Sequence, residues 1–202
     1  MRFVQNLKDT AKSEKFIVDN ARVLAIDPSS HSIAFAIMQG NKNKVDLVAI
    51  GKISFPKGST TSSRAKIINA SIPELINKYK IDTVVIEETI YIQNPNTTRI
   101  LAYTVGSLWG KAIDMDVRVI DVGPLKWKAF INYKNVKKAE IIEWTKTMGE
   151  REAKKKASFE RKDRVRSIMF EKYPKVDEED YDIWDSIAIG WWAIHNCYEY
   201  KA

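Results

Sequence analysis

The change of periodicity along residues 22–122 most constrains what this chain can fold into. Apolar residues form a run at 22–27, alternate with small residues at 33–38 and return at 45–54, which is typical of three consecutive strands joined by short turns. Helical spacing then runs from 65 to 79, followed by a strand at 82–87, a helix around 101–112 and a strand at 117–122. We therefore predict an antiparallel meander followed by two strand–helix crossover units.

This order of elements predicts a mixed five-stranded sheet, antiparallel and then parallel, with helices on both faces. Such a layout is that of the ribonuclease-H-like α/β fold. Pro73 lies inside the first helical pattern and predicts a kink or a break, because proline removes a backbone hydrogen bond. After residue 124 the pattern is helical to the end. Residues 1–20 predict an arm or a short helix outside the core, and residues 21–202 a single domain.

Charge is distributed unevenly along the chain. The net charge is +7 over 202 residues, with a pI of about 9.3, which favours a polyanionic partner. Residues 146–175 hold eleven lysines and arginines against five acidic residues, so most of the excess lies there. We predict a basic helical insertion in this segment, closed by Tyr173 and Pro174. A solvated surface helix without a partner is the alternative explanation.

Cysteine usage and hydropathy indicate the compartment. Cys197 is the only cysteine, so an intrachain disulfide is excluded, as is typical of a reducing environment. The first 15 residues show no apolar core of a signal peptide, and the longest apolar run, 186–198, is too short to span a bilayer. A cytoplasmic protein without a membrane partner is expected.

Four acidic residues stand where apolar segments end or begin: Asp27, Glu87, Asp182 and Asp185. Carboxylates at the ends of buried elements are costly unless something neutralises them. A divalent cation does so, and an all-oxygen ligand set suits Mg²⁺ or Mn²⁺. In a basic protein, a carboxylate–metal centre indicates phosphodiester chemistry on nucleic acid.

Each acid also has a structural explanation. Asp182 and Asp185 could stabilise a helix start, and Asp27 could be a turn residue before Pro-Ser-Ser. Glu87 or its neighbour Glu88 could simply end a strand, and either could be the ligand. The first and fourth strands are neighbours in the predicted sheet, however, and the last helix could place its two acids against them. One metal site then accounts for the set better than separate coincidences.

Four segments carry a resemblance to a known family. Residues 24–30 (Leu-Ala-Ile-Asp-Pro-Ser-Ser) resemble the first motif of RuvC-type Holliday junction resolvases, and residues 85–88 (Val-Ile-Glu-Glu) are similar to their fourth strand. Residues 182–189 look like the closing motif, and residues 136–140 resemble a DNA-contacting basic segment. Ser29 replaces the usual glycine, and the segments 1–20 and 146–175 are extra. These departures suggest a divergent, phage-encoded branch, acting in a bacterial or phage-infected cell.

The resemblance implies a metal-dependent endodeoxyribonuclease that resolves four-way DNA junctions by paired symmetric nicks, leaving 5′-phosphate and 3′-hydroxyl ends. It implies two Mg²⁺ ions, for which Mn²⁺ can substitute, held by Asp27, Glu87, Asp182 and Asp185, with Lys138 as a catalytic lysine. A two-fold homodimer through residues 97–114 is implied as well. No small-molecule cofactor is expected.

Further residues are predicted to contact DNA. Tyr91 follows the fourth strand in a loop that enters the junction in the family, where an aromatic ring could stack on an opened base pair; packing is the alternative. The basic candidates are Lys126, Lys128, Lys137, Lys138, Lys154, Lys155, Lys156, Arg161, Lys162, Arg164 and Arg166.

Three other function classes share parts of this pattern. Another ribonuclease-H-like nuclease, acting on branched DNA or RNA–DNA hybrids, is the nearest alternative, and paired acids on the last helix favour the resolvase pattern over it. A non-catalytic nucleic-acid-binding module would not need the four acids. An actin-like ATPase would need a second half-domain and glycine-rich phosphate loops, and this chain has only eight glycines.

Overall fold

The computed structural model describes residues 16–88 and 94–200. The strands in this part of the chain are β1 (Phe16–Val18), β2 (Ala21–Pro28), β3 (Ser32–Gly40), β4 (Val45–Ser54), β5 (Thr83–Glu87), β6 (Arg118–Val122) and β7 (Tyr198–Tyr200). The helices are α1 (Thr61–Tyr79), α2 (Pro95–Asp114), α3 (Pro124–Phe130), α4 (Lys138–Met148), α5 (Glu150–Lys172) and α6 (Tyr181–Asn196).

A five-stranded mixed sheet in the order β4-β3-β2-β5-β6 forms the centre of the domain. The meander β2-β3-β4 is antiparallel, whereas β5 and β6 run parallel to β2. Helices cover both faces, with α1 and α2 on one side and α6 on the other. The predicted fold class is confirmed, and the first and fourth strands of the predicted sheet, which are β2 and β5, are neighbours as expected.

The central strands are buried on both faces, as expected of strands that carry helices on each side. In β2, Leu24 and Ile26 belong to the core shared with α1 and α2, whereas Val23 and Ala25 belong to the core beneath α6. The alternation of side chains along a strand therefore assigns each residue of β2 to one helix layer. Asp27 is the next residue in this alternation, so its side chain points to the same face of the sheet as those of Val23 and Ala25.

Helix α1 is continuous through Pro73, so the predicted break is wrong. The helix begins at the cap Thr60, whose side chain accepts a hydrogen bond from the Ser63 amide at 3.2 Å. Ile68 and Ile72 before Pro73, and Ile76 after it, are buried in the core between α1 and the sheet. Burial of this stripe on both sides of Pro73 outweighs the loss of one backbone hydrogen bond.

The two ends of the described chain pair with each other. Strand β1 runs parallel to β7, with Phe16 opposite Tyr198. Residues 16–18 are therefore a strand rather than part of a free arm or helix, and the chain does not stay helical to its end. Tyr198 is buried and donates a hydrogen bond to Asp82 at 2.6 Å. The pairing joins residues about 180 positions apart, which local periodicity does not reveal.

The predicted basic segment spans two helices. Gly149, with φ of 82°, separates α4 from α5, and its left-handed backbone favours glycine. Arg164 of α5 ties the pair together, donating to Glu140 of α4 at 2.6 Å and to the Lys134 carbonyl at 3.0 Å. Across the described ranges, no helix is both long and apolar enough to cross a membrane.

Candidate active site

Two of the predicted acids meet at one edge of the sheet. Strands β2 and β5 are parallel neighbours with Ile26 beside Ile86, so the next residues, Asp27 and Glu87, lie side by side at their carboxyl ends. Val85, two residues before Glu87, belongs to the core beneath α6. Since alternate residues share a face, Asp27 and Glu87 both point towards α6.

Helix α6 lies close to the sheet because small residues face it. Ala25 and Ala36 of the sheet are buried beneath the helix, and Gly190 of α6 lies against β2 and β3. A Cβ on Gly190 would stand 2.5 Å from the Met38 side chain and 3.2 Å from the Ala25 Cβ. This close approach brings the first two turns of α6, with Asp182 and Asp185, over the ends of β2 and β5.

The acidic neighbours of Asp27 act on its protonation. The pKa of Asp27 is raised well above its usual range, first by burial and then by the negative charges of Glu87, Asp185 and Asp182. A hydrogen bond between Asp27 and Glu87 contributes as well. Nearby negative charges disfavour the ionised form of a carboxyl group, so crowding of the acids acts on Asp27 in the same direction as its burial.

Asp185 has an oxygen that nothing in the surrounding protein satisfies. Its Oδ1 is buried and is the one such side-chain atom without a hydrogen-bond partner among the described residues. Burial raises the pKa of Asp185 to about 7, and the nearby charges of Lys128 and Glu87 act in opposite directions on it. A buried carboxylate oxygen without a hydrogen bond destabilises the folded protein, and such groups are typical of positions that bind an ion or act in catalysis.

Asp182 differs from the other acids because two ammonium groups hold it. Lys162 of α5 donates to its Oδ1 at 2.8 Å, and Lys52 of β4 lies 3.5 Å from its Oδ2. Burial acts to raise the pKa of Asp182, but its contacts with Lys162 and Lys52 outweigh this effect and lower it.

The side chains of Glu87 and Glu88 point to opposite faces of the sheet at the end of β5. Glu87 accepts a hydrogen bond from the indole nitrogen of Trp127 at 2.8 Å, and Trp127 is fully buried beneath α6. Glu88 is exposed and interacts with Asp121, on the other side of the sheet. The geometry therefore favours Glu87 over Glu88 as the fourth acid of the cluster.

The predicted lysines divide between the site and the surface. Lys128 of α3 is half-buried, with its ammonium 4.8 Å from the Trp127 ring, and its charge acts on Asp185. Lys126 is exposed on the same helix. Lys137 caps α4 and Lys138 is its first residue; both are exposed, and the structure records no contact between Lys138 and the acids.

The basic residues of α5 also have different surroundings. Lys156 lies over the Trp144 ring at 4.7 Å and Arg164 joins three partners, so both hold helices together. Lys154 and Lys155 pair with acids of their own helix, Glu150 and Glu152. Lys162 reaches the site and pairs with Asp182. Arg161 is exposed and Arg166 is half-buried. Tyr91 lies outside the described residues.

Three residues of this centre were not predicted from the sequence: Lys52, Trp127 and Asp180. Asp180 caps α6, accepting a hydrogen bond from the Asp182 amide at 3.0 Å, and pairs with Lys52. A polar residue before a helix start signals such a cap. The partners of Lys52 and Trp127 depend on strand register and on helix placement, which the sequence pattern does not reveal.

The donor set suits a hard divalent cation. Carboxylate oxygens are the ligands that Mg²⁺ and Mn²⁺ prefer, and the buried Oδ1 of Asp185 is free to accept one. As the described side chains stand, no three acidic, histidine or cysteine residues converge on a common point for an ion. Glu87 and Asp182 are instead turned towards Trp127, Lys52 and Lys162.

Comparison with known sequences identifies relatives. Residues 23–155 match the family described as crossover junction endodeoxyribonuclease RuvC, a range that includes Asp27 and Glu87 and ends before Asp182. The RuvC of Alkaliphilus oremlandii is 26% identical over 127 residues, covering 62% of this chain and 77% of that protein. The RuvC of Campylobacter jejuni is 30% identical over 115 residues, covering 57% and 71%.

Solved structures share the fold. The Thermus thermophilus RuvC in complex with Holliday junction substrate matches with a TM-score of 0.60 and 16% identity, covering 85% of this chain and 91% of that one. The yeast mitochondrial Holliday junction resolvase Ydc2 matches with a TM-score of 0.51 and 14% identity, covering 86% and 79%. At these identities the likeness is one of fold.

Proposed function

The chain belongs to the RuvC family of crossover junction endodeoxyribonucleases, and we propose that it is a metal-dependent endonuclease that resolves four-way DNA junctions. Paired symmetric nicks leaving 5′-phosphate and 3′-hydroxyl ends are the proposed reaction. The observation that carries the proposal is that Asp27, Glu87, Asp182 and Asp185, from two strands and one helix, lie near enough on one face of the sheet for the other three charges to act on Asp27.

The four acids are the proposed ligands of two Mg²⁺ ions, which Mn²⁺ could replace. Bound ions of this kind activate a water for in-line attack and stabilise the leaving oxygen. Asp27 is central, since the charges of the other three acids all act on it. Glu87 would offer Oε2 to an ion while its Oε1 still accepts from Trp127, and Asp182 would have to release Lys162 from Oδ1.

Lysines beside the acids supply positive charge for the phosphate. Lys128 and Lys162 both act on Asp185, so their ammonium groups stand close to where a scissile phosphate would lie. Lys138, exposed at the start of α4, is a proposed phosphate contact from the flank of the site. Such contacts orient the backbone without reading its sequence.

Helix α5 is proposed to bind the duplex arms of the junction. Exposed cations such as Lys154, Lys155 and Arg161 lie on the helix that also carries Lys162 to the acids. Pairs such as Lys154–Glu150 are exposed and contribute little to stability, so phosphates can take over these lysines. The helix would thereby connect the backbone contacts to the cleavage site.

A two-fold dimer through α2 is proposed for paired nicking. Tyr103 and Ile113 are 52% and 58% exposed, and they lie on one stripe of α2 with Gly106 and Gly110. A Cβ at either glycine would meet no atom within 4 Å. This open apolar stripe allows a second helix to approach closely in an isologous interface.

The proposed function is tested by incubating a mobile four-way junction with Mg²⁺, Mn²⁺ or EDTA. Wild type and Asp185→Asn are compared, with Glu74→Gln on the exposed side of α1 as the matched control. We expect paired symmetric nicks that require metal, that DNA ligase seals, and that Asp185→Asn abolishes while junction binding in EDTA persists. Glu74→Gln should cleave like wild type.

Substrates of the same sequence separate the rival functions. Linear duplex, a three-way fork and an RNA–DNA hybrid should be cut much more slowly than the junction. Preferential cutting of the hybrid would move the assignment to another ribonuclease-H-like nuclease. Junction binding without cleavage under either metal would instead indicate a non-catalytic binding protein.

A further inference from the structure

A row of paired residues crosses the sheet at the level of the acids. In the antiparallel register, Asp27 lies opposite Ala34, and Ala34 lies opposite Lys52 of β4. Directly opposed residues share a face, and Ala34 belongs to the core beneath α6, so Lys52 points to the same side as Asp27. Two strand spacings, roughly 10 Å, separate their backbones, which a lysine side chain can largely bridge.

Ala34 lies between Asp27 and Lys52, and its small side chain leaves room for the start of α6. Lys52 reaches over this gap, forming an ion pair with Asp180 and standing 3.5 Å from the Asp182 Oδ2. Its side chain is 28% exposed, so the pair is partly shielded from water. The edge strand β4 is thereby tied to the turn from which α6 begins.

Asp180 transmits this contact to the active-site helix. One of its oxygens receives Lys52, and the other accepts the Asp182 amide at 3.0 Å as the helix cap. Its own amide donates to Glu178 Oε1 at 2.8 Å, and the Glu178 carbonyl accepts from the buried Trp184 indole at 3.0 Å. The acidic segment 177–180 is therefore a hydrogen-bonded connection between the sheet and the first turn of α6.

Loss of the Lys52–Asp180 contact should have a small effect on the stability of the fold and a larger effect on the cleavage rate. One helix cap and one partly exposed ion pair contribute little to the folding of a domain of this size. By contrast, moving a reacting group by about 1 Å can lower a rate on the order of a hundredfold. Loss of the Lys52–Asp180 contact should therefore appear in the rate before it appears in the stability.

We propose that Lys52 is a positioning residue that acts through Asp180 and Asp182 to fix the first turn of α6 over Asp27. Its consequence for cleavage rests on the nuclease function proposed above. The predicted effect of Lys52 on the start of α6 does not rest on that function, because the hydrogen bonds from Lys52 to Asp180 and from the Asp182 amide to Asp180 involve this chain alone.

The experiment compares Lys52→Met, Lys52→Arg and wild type, with Lys44→Met as the matched control. Lys44 pairs with Asp46 at the other end of β4, at 80% side-chain exposure. Three quantities are measured: the single-turnover cleavage rate at saturating junction, the junction Kd, and hydrogen exchange of the Asp182 amide without metal. We expect Lys52→Met to slow cleavage about tenfold and to speed exchange several-fold, with Kd within twofold of wild type.

The conservative variant and the control sharpen the result. Lys52→Arg keeps a donor for Asp180 and should recover most of the rate and the protection, whereas Lys44→Met should change neither. Wild-type cleavage or wild-type exchange in Lys52→Met would overturn the proposal, as would a rate loss explained by a weaker Kd. If wild type itself does not cut junctions, the nuclease function fails, and exchange at Asp182 alone still decides the role of Lys52.

Discussion

Asp185 shows how a residue proposed to bind a metal can oppose folding in the absence of that metal. Its Oδ1 is buried without a partner, and burial raises its pKa from 3.8 to about 7. The folded protein therefore binds a proton at Asp185 more readily than the unfolded chain does. Stability contributed by this group must fall as the pH rises from about 4 to about 7, and it stays low above that range.

Replacing Asp185 with asparagine should therefore stabilise the metal-free protein at alkaline pH. In EDTA at pH 8 we expect Asp185→Asn to raise stability by on the order of 2 kcal/mol and Tm by several degrees. The gain should shrink as the pH falls from about 7 towards 4 and vanish below that range, where wild-type Asp185 is protonated in both states. Thermal denaturation followed by circular dichroism measures both. Glu74→Gln, at an exposed position of α1, is the control for the removal of one negative charge, and an unchanged Tm in Asp185→Asn at pH 8 would contradict the expectation.

Trp127 is the residue that orients Glu87. Its indole nitrogen donates to Glu87 Oε1 at 2.8 Å from a fully buried position. Trp127→Phe removes this donor while keeping an aromatic ring, so Glu87 loses its fixed orientation. We predict a cleavage rate about tenfold lower with junction affinity nearly unchanged, measured in single-turnover assays.

A matched control for Trp127 exists on the opposite face of the sheet. Trp109 donates to Asp121 at 2.8 Å, which is the same type of indole–carboxylate contact away from the four acids. Trp109→Phe should lose a comparable amount of stability and cleave at the wild-type rate. Equal rate losses in the two variants would show that Trp127 acts through stability alone.

At the scale of elements, α5 joins the acidic centre to a basic surface. Lys162 contacts Asp182, while Lys155 and Arg161 face solvent on the same helix. We predict that the double variant Lys155→Glu/Arg161→Glu weakens junction binding at least tenfold and flattens its dependence on salt concentration, because fewer counterions are released. Binding titrations between about 50 and 200 mM salt measure both effects.

The same change of charge placed elsewhere is the control for α5. Lys66 and Lys78 are exposed on α1, on the opposite side of the sheet. Lys66→Glu/Lys78→Glu alters the net charge equally and should leave the binding and its salt slope near wild type. If both double variants weaken binding to the same extent, only the overall charge matters and α5 is not a specific contact.

Elements with a local signal were predictable, and their long-range partners were not. The alternation in β2 and the parallel neighbour β5 were sufficient to predict that Asp27 and Glu87 meet. The contact of Lys52 with Asp180 joins residues 128 positions apart and depends on the register of β4 against β3, which shifts between Ile37 and Met38. Pairing of β1 with β7 likewise has no local pattern, since each strand has only three residues.

At the scale of the whole molecule, charge is separated between the acidic centre and its surroundings. The chain carries a net charge of +7, yet four carboxylates share one end of the sheet, with Lys52, Lys128 and Lys162 around them. Screening limits each charge to about 8 Å at physiological salt. The basic surface can therefore attract a polyanion while the centre remains attractive to cations.

Paired nicking of a symmetric junction requires two such centres, and α2 is the element proposed to join them. Tyr103 is half-exposed on its open stripe, so Tyr103→Glu should leave the folded monomer intact, with Tm changed by only a few degrees. Placing a carboxylate in a desolvated isologous interface repels its symmetry mate and should convert the dimer to monomer. Light scattering after size-exclusion chromatography measures the mass, and cleavage should change from paired to single nicks. Ile142→Glu, on the exposed side of α4, introduces the same charge at an equally exposed apolar residue and should remain dimeric. A monomeric wild type that still makes paired nicks would remove α2 from the mechanism.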